Sequence, residues 1–205
     1  MSNLMSEKMH HQVNVKTKQK VSFWKKILLI FGVIISIGYI IWQNDDFQRR
    51  YLYPYNYRNT INFYADRYDV DRNLVVGVIL AESKFDPKAC SPYEARGLMQ
   101  LMPETATWIA GQIEDDNFSI DKLYDPKVNI KYGTWYLSEL KSEFGDNEIL
   151  VLAAYNAGRG NVHNWMKKYN WNDDFSNYDE IPFPETREYV KRVLVNKQEY
   201  KRLYK

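Results

Sequence analysis

Apolar residues along most of this chain recur at helical spacing, and no segment of convincing length shows the alternation of a β-strand. The clearest apolar stripe follows Asp71 and consists of Val75, Val78 and Ile79, with Glu82 as its last member. Asp71 is a suitable N-cap for this helix, because its short side chain can accept hydrogen bonds from the first backbone N–H groups. The pattern therefore predicts a helix with a carboxylic acid at the end of its inward face.

Proline, acidic residues and glycine mark the ends of further helices. The first helix is expected to end before Pro87, because proline disfavours helical geometry at the preceding residue. Gly145 and Gly158 are suited to end two later helices, since glycine readily takes a positive φ. Residues 170–183 are polar and aromatic and are predicted as a loop. The predicted starting or capping residues of four more helices are Pro103, Asp125, Asp146 and Pro184.

Glu82 is the most informative position of this pattern. A carboxyl group on the inward face of a helix is partly desolvated, and desolvation raises its pKa. A raised pKa suits a general acid that works near neutral pH. The same spacing also fits a structural glutamate that reaches solvent or pairs with a basic residue such as Arg96. Spacing alone leaves both interpretations open.

The N-terminal part of the chain has a different pattern, with a basic segment followed by an uncharged apolar run. The run is slightly shorter than the roughly 20 residues of an untilted membrane span, and Phe23 and Trp24 extend it. No small-residue cleavage site follows, which disfavours a signal peptide. Lysines before the run and aspartates after it place the N-terminus in the cytoplasm. We therefore predict a cytoplasmic tail at 1–26, a single-pass membrane anchor at 27–42, a linker at 43–55 and an all-α extracytoplasmic domain at 56–205.

Composition narrows the chemistry of this domain. The chain contains 17 Tyr and 6 Trp, side chains that can stack on sugar rings. A net charge of +2 argues against a dedicated nucleic-acid binder. Cys90 is the only cysteine, so the chain can form no internal disulfide, and two of the three histidines lie in the N-terminal tail. The sequence therefore predicts neither a catalytic thiol nor a metal or other cofactor.

Four short segments occur in an order that resembles a known enzyme family. They are Glu82-Ser83, the segment from Gly97 to Pro103, the segment from Ala154 to Gly158, and the segment from Pro184 to Val190. Ser91 is also in place. Together they resemble the lysozyme-like lytic transglycosylase domain of the soluble-lytic-transglycosylase type, which is related to goose-type lysozyme. The resemblance runs from about residue 57 to residue 189.

The resemblance implies cleavage of the β-1,4 bond between N-acetylmuramic acid and N-acetylglucosamine in the glycan strands of peptidoglycan. The single acidic residue that the family uses corresponds to Glu82. It would protonate the glycosidic oxygen and then deprotonate the muramoyl C6 hydroxyl, which closes a 1,6-anhydro ring without water. Leu98 and Met99 would belong to the core. The positions implied to bind substrate are Ser91, Gln100, Met102, Tyr155, Asn156, Glu185 and Tyr189.

One residue departs from the family pattern, and two other functions stay open. Glu94 stands where the family usually has glycine, which could change the shape or the charge of the loop. A hydrolytic muramidase of the same fold would use water in place of the C6 hydroxyl. A wall-binding anchor protein would bind the polymer without cleaving it. The sequence leaves open the requirement for peptide stems, the choice between internal and terminal cleavage, and any partner in the cell-wall machinery.

Overall fold

The computed structural model describes residues 29–205. Helix α1 occupies residues 29–42, and its apolar side chains are exposed. A short helix α2 (Asp45–Phe47) and a π-helical turn (Gln48–Leu52) follow. The predicted tail, and the first two residues of the predicted anchor, lie outside the described residues. From residue 29 onward, no helix combines the length and the hydropathy needed to cross a membrane.

Residues 53–205 form a compact unit whose regular secondary structure is helical. Its long helices are α3 (Arg58–Arg67), α4 (Arg72–Ser83), α5 (Pro103–Gln112), α6 (Pro126–Phe144), α7 (Glu148–Ala157), α8 (Arg159–Tyr169) and α9 (Pro184–Leu203). Short 3-10 turns lie at Ile120–Tyr124 and Tyr178–Glu180. Among residues 29–205, β-pairing is limited to isolated bridges within the loop between α4 and α5. The predicted all-α class is therefore confirmed.

The core is built around α4 and α7, which contain the most continuous buried runs. Six consecutive residues of α4 are buried, from Leu74 to Ile79, as are five of α7, from Leu150 to Ala154. Helix α9 packs closely on α4 at Gly77, where a Cβ would lie 3.2 Å from the backbone of α9. The buried Asn196 amide donates to the Gly77 carbonyl at this crossing. Helix α4 is thereby held against α9 near its middle.

Most of the predicted helix starts are confirmed, with small shifts. Asp71 caps α4, since its Oδ1 accepts from the Asn73 N–H at 2.8 Å. The cap of α7 is Asn147 rather than the predicted Asp146, because Asn147 Oδ1 accepts from the N–H groups of Ile149 and Leu150 in the first turn of that helix. Helix α4 ends at Ser83, earlier than Pro87 would require, because Lys84 takes a left-handed conformation with φ 53°.

The start of the compact unit is attached to its last helix. The Tyr200 hydroxyl donates to the Pro54 carbonyl at 2.6 Å, and the Tyr204 hydroxyl donates to the Tyr53 carbonyl at 2.7 Å. The ring of Tyr55 packs edge-on against Tyr200 of α9 and against Tyr204, which caps that helix. Residues 53–55, part of the predicted linker, therefore form a strap that lies along α9.

Candidate active site

Glu82 lies in the last turn of α4, and its carboxyl group is largely enclosed. Burial raises the pKa of Glu82 to about 7, although the Tyr189 hydroxyl and the Arg192 charge both act to lower it. Tyr189 lies on α9 and is 2% exposed, and its hydroxyl does not reach the geometry of a formed hydrogen bond. No other carboxylate contributes to this pKa among the described groups. Glu82 is thus a half-buried acid whose carboxyl group exchanges its proton near neutral pH.

The alternative of an ion pair between Glu82 and Arg96 is wrong. The Arg96 guanidinium lies 3.3 Å from Asp121 and 4.0 Å from Glu94, and above the ring of Tyr124. These contacts engage the Arg96 guanidinium with groups other than Glu82.

The loop that follows Gly97 is anchored to the core by one buried amide. Asn129 on α6 is fully buried, and its Oδ1 accepts from the Met99 N–H at 2.7 Å. Its Nδ2 donates to the carbonyls of Arg96 and Leu123, each at 2.9 Å. The Met99 N–H and the Leu123 carbonyl are buried at these bonds, so losing the amide would leave both without this partner, whereas the Arg96 carbonyl would still accept from the Leu101 N–H. Asn129 therefore fixes the backbone that faces the end of α4.

Two glycines allow the loop to approach α6 and its preceding turn. A Cβ at Gly97 would lie 2.2 Å from the Leu123 carbonyl oxygen, and the φ of 75° also favours glycine. A Cβ at Gly133 would lie 2.3 Å from the sulfur of Met99. Leu98 and Met99 are fully buried, which confirms their assignment to the core.

Ser83 ties the loop directly to the helix that carries the acid. Its hydroxyl is 2.8 Å from the Leu98 carbonyl oxygen and 3.2 Å from the Ile79 carbonyl oxygen. The adjacent residue is Glu82, so this bond fixes the distance between the acid and the loop.

Tyr155, near the end of α7, brings a third element to the site. Its hydroxyl donates to the Met99 carbonyl at 2.8 Å. Burial, followed by the nearby Glu82 charge, raises the pKa of Tyr155 well above its usual value. The ring of Tyr136 lies 5.6 Å from that of Tyr155. The tyrosine therefore remains a neutral donor beside the acid.

The other predicted binding residues occupy different parts of this region. Ser91 Oγ accepts from the N–H groups of Tyr93 and Ala95, so it shapes a turn as well as presenting a hydroxyl. The Gln100 amide donates to the carbonyls of Ala89 and Gly97, which leaves its oxygen for other partners. The remaining three are accessible to different degrees: Met102 is 40% exposed, Asn156 is half-buried, and Glu185 is exposed in the first turn of α9.

Left-handed backbone is concentrated around Glu82. Lys84, Phe85, Glu94 and Gln100 all have φ between 47° and 67°, although none of them is glycine. Such conformations cost about 1–2 kcal/mol each for L-residues. They persist here because Asn129, Ser83 and Tyr155 fix the surrounding chain, as strained backbone at functional sites requires.

The resemblance of the sequence motifs to the transglycosylase domain is confirmed by comparison with known proteins. A family model described as the transglycosylase SLT domain matches residues 59–177, and one described as the soluble lytic transglycosylase helical domain matches residues 180–205. The chain therefore belongs to the SLT transglycosylase family.

Two curated relatives represent the soluble and membrane-bound members. The soluble lytic murein transglycosylase of Escherichia coli K12 is 38% identical over 144 residues, covering 69% of this chain and 22% of that protein. The membrane-bound lytic murein transglycosylase C of Actinobacillus pleuropneumoniae serotype 5b is 30% identical over 164 residues, covering 66% of this chain and 43% of that protein. The chain thus spans less than half of the length of either relative.

Solved structures show the same fold. The 70 kDa soluble lytic transglycosylase of Escherichia coli superposes with a TM-score of 0.70 at 32% identity, over 82% of this chain and 27% of that one. An inactive glutamate-to-glutamine mutant of the lytic transglycosylase Slt of Pseudomonas aeruginosa superposes with a TM-score of 0.66 at 34% identity, over 74% of this chain and 25% of that one. The lysozyme-like helical architecture expected from the motifs is therefore confirmed.

Proposed function

We propose that this protein is a peptidoglycan lytic transglycosylase in which Glu82 is the single general acid and base. The observation that carries the proposal is the half-buried Glu82 carboxyl, whose pKa burial raises to about 7, with no second carboxylate among the described groups contributing to it. A retaining glycosidase needs a carboxylate nucleophile about 5 Å from its acid. A mechanism in which the substrate supplies the nucleophile fits the site better.

In the first step, protonated Glu82 gives its proton to the glycosidic oxygen as the bond from that oxygen to muramoyl C1 breaks. The Glu82 carboxylate then takes the proton of the C6 hydroxyl, whose oxygen bonds to C1 and closes the 1,6-anhydro ring. The acid is thereby restored without consuming water. A pKa near the working pH suits a group that must act in both directions.

We propose that the residues around Glu82 position the sugar on either side of the scissile bond. Tyr155 and Tyr189 are hydroxyl groups beside the acid, and burial keeps both protonated. The free oxygen of Gln100, the amide of Asn156 and the hydroxyl of Ser91 can bind N-acetyl and hydroxyl groups. Met102 and Glu185 would contact the strand at the edges of the groove.

We further propose that residues 27–42 anchor the protein in the cell membrane, with the catalytic domain on the wall side. The exposed apolar side chains of α1 support this proposal, because a helix surface of this kind is stable in lipid. Relatives named as membrane-bound lytic murein transglycosylases are consistent with it. Alkaline extraction of membranes from cells making the full chain tests it, since release of the protein into the supernatant would contradict a spanning anchor.

The function is tested by digesting purified peptidoglycan and weighing the products. Muropeptides with anhydromuramoyl ends are expected from the parent protein, and Glu82→Gln should form none while still binding glycan strands. Glu185→Gln is the comparison variant, because it also replaces a glutamate by glutamine, but at an exposed position at the edge of the groove. It should still form muropeptides with anhydromuramoyl ends. Reducing muramoyl ends alone would identify a hydrolytic muramidase. Binding without any cleavage by the parent would identify a wall-binding protein.

A further inference from the structure

A second cluster of aromatic and charged side chains lies at the start of α8. The rings of Trp108 from α5 and Trp135 from α6 are 5.5 Å apart, and the Arg159 guanidinium lies 5.5 Å from the centre of the Trp108 ring. Glu143 from α6 forms an ion pair with Arg159, at 2.5 Å from its Nε. His163, one turn further along α8, also contacts Glu143 at 2.5 Å. We refer to these five residues as the Trp108–Arg159 cluster.

This cluster is continuous with the site around Glu82. The ring of Tyr155, beside the acid, packs on Tyr136, and Tyr136 in turn lies 6.2 Å from Trp108. The charge of Arg159 also reaches Tyr136, because it acts to lower the pKa that burial raises. Tyr136 is itself buried, so these ring contacts join the two regions through the core. Arg159 follows Tyr155 by only four residues, and a glycan strand bound along Tyr155 would therefore pass close to Arg159 and Trp108.

The contacts of Arg159 leave the two terminal nitrogens of its guanidinium, the fork of the side chain, available to bind a ligand. The contact with Glu143 is made at Nε, as a charge contact without hydrogen-bond geometry, and the two terminal nitrogens of the guanidinium carry four further N–H donors. Two parallel N–H groups of this kind match the two oxygens of a carboxylate. Glu143 has a side chain only 18% exposed and is also held by His163, so the guanidinium is oriented before any ligand arrives.

Trp108 supplies an apolar surface next to this fork. Its ring is 37% exposed, and the side chain of Arg159 is 42% exposed, so both are accessible from solvent. A large aromatic ring contributes contact area for aliphatic carbon and for sugar rings. The pair therefore matches a carboxylate that is attached to a small aliphatic group.

We propose that Trp108 and Arg159 form a carboxylate-binding subsite of the groove, which holds a carboxylate of the polymer together with its neighbouring aliphatic carbon. The inference rests on the proposed function, because it concerns the same strand that Glu82 would cleave. Peptidoglycan offers this chemistry from two sources. One is the lactyl group of a muramoyl residue that has lost its stem, and the other is the stem peptide itself.

The test measures binding to the full chain with Glu82→Gln, which prevents cleavage during the titration. Three oligosaccharides of equal length are compared by calorimetry: one with stem peptides, one with stems removed and lactyl carboxylates free, and one made only of N-acetylglucosamine. Adding Arg159→Gln should weaken binding of a carboxylate-bearing ligand by about tenfold, as the loss of a charged hydrogen bond predicts. The N-acetylglucosamine oligomer should bind as before. The ligand that loses affinity identifies the source of the carboxylate.

Two further variants separate a binding role from a structural one. Arg159→Lys keeps the positive charge but not the paired N–H donors of the guanidinium. Its affinity for a carboxylate-bearing ligand should therefore lie between those of Arg159 and Arg159→Gln. Lys168→Gln removes a cation from the other end of α8, where it lies 4.9 Å from the ring of Tyr169, and should leave all three affinities unchanged. Equal weakening of all three ligands by Arg159→Gln, or no weakening of either carboxylate ligand, would overturn the subsite. A parent protein that does not cleave peptidoglycan would contradict the proposed function instead, while the binding differences still decide the subsite.

Discussion

The two ends of helix α4 carry carboxylates with opposite properties. At the N-terminus, burial alone would raise the pKa of Asp71, but the Asn73 N–H and the Lys197 ammonium lower it below its usual value. At the C-terminus, burial dominates, and the pKa of Glu82 rises to about 7. Lys197 lies 3.2 Å from Asp71 and also pairs with Glu148, whereas Glu82 has no cation in contact among residues 29–205.

The difference separates a carboxylate that stabilises the fold from one that is available for chemistry. Asp71 has a lowered folded-state pKa, so its stabilisation is present above its unfolded pKa and is lost as pH falls through the folded value. Glu82 has a raised folded-state pKa, so its contribution to stability is present below pH 4.5 and is lost as pH rises through about 7. One helix thus has opposite pH dependence at its two ends.

The largest effect is expected from Glu82→Gln. The rate of peptidoglycan cleavage should fall by about 10³-fold or more, because the proton donor is gone. At pH 9 the free energy of unfolding of the variant, measured by urea denaturation, should exceed that of the parent by up to roughly 3 kcal/mol. The reason is that the pKa of Glu82 rises from 4.5 to about 7 on folding, and each pKa unit corresponds to about 1.4 kcal/mol. At pH 4 the two proteins should be nearly equal. An equal difference at both pH values would mean that Glu82 does not titrate as the site requires.

Lys197→Met should affect stability without affecting chemistry. It leaves the half-buried carboxylates of Asp71 and Glu148 without their shared cation, which we expect to destabilise the fold by about 2 kcal/mol after allowance for solvent screening. Urea denaturation at pH 7 measures the loss. Lys191→Met, at an exposed position of the same helix, is the control and should change stability by less than about 0.5 kcal/mol. Cleavage by the folded variant should match the parent, and a large loss of activity would mean that the two ends of α4 are coupled.

Tyr189→Phe should shift the pH dependence of the reaction. The Tyr189 hydroxyl lowers the pKa of Glu82, so its removal raises that pKa further. In the proposed mechanism the first step needs protonated Glu82, so the decline of kcat/KM on the alkaline side should move to higher pH. The maximal rate should change by about tenfold or less, as expected for one hydrogen-bonding group. An unchanged pH profile would show that the hydroxyl does not act on Glu82.

Glu94→Gly is expected to have the smallest effect. Glu94 has φ 66°, a conformation that glycine adopts without strain, so the substitution relieves local strain while giving the unfolded chain more freedom. The two effects oppose each other, and we expect a net stabilisation below about 1 kcal/mol with no loss of cleavage. Thermal unfolding measures it. A strong destabilisation would show that the weak contact between Glu94 and Arg96 matters more than its 4.0 Å distance indicates.

The helices and the acid could be predicted because their signals are local. Asp71, Asp125 and the prolines act within one turn of chain, and the stripe that ends in Glu82 follows from helix geometry. Helix α8 was not assigned from its own pattern, and α4 ends earlier than Pro87 indicates. The departure at Glu94 is explained only by the structure, which shows that this position needs a positive φ.

The network that holds the site depends on contacts between distant segments, which no local pattern specifies. Asn129 lies 30 residues from Met99, and Tyr155 lies 56 residues from it. The one signal for Asn129 in the sequence is its position, since it is a polar residue between the apolar Val128 and Ile130 shortly after the start of a helix. Arg159 and Trp108 carried no signal in sequence, because their proximity arises only when α5 and α8 pack beside α6.

The strap formed by residues 53–55 determines how mechanical force enters the domain. A protein held at its N-terminal side, while bound to a wall that moves, transmits tension through Tyr53 and Pro54. The hydroxyl bonds from Tyr204 and Tyr200 pass that tension to the C-terminal end of α9. Helix α9 would receive this load, and Tyr189 in its second turn lies beside Glu82. Tension on the strap would therefore reach the helix that carries one hydroxyl group of the site.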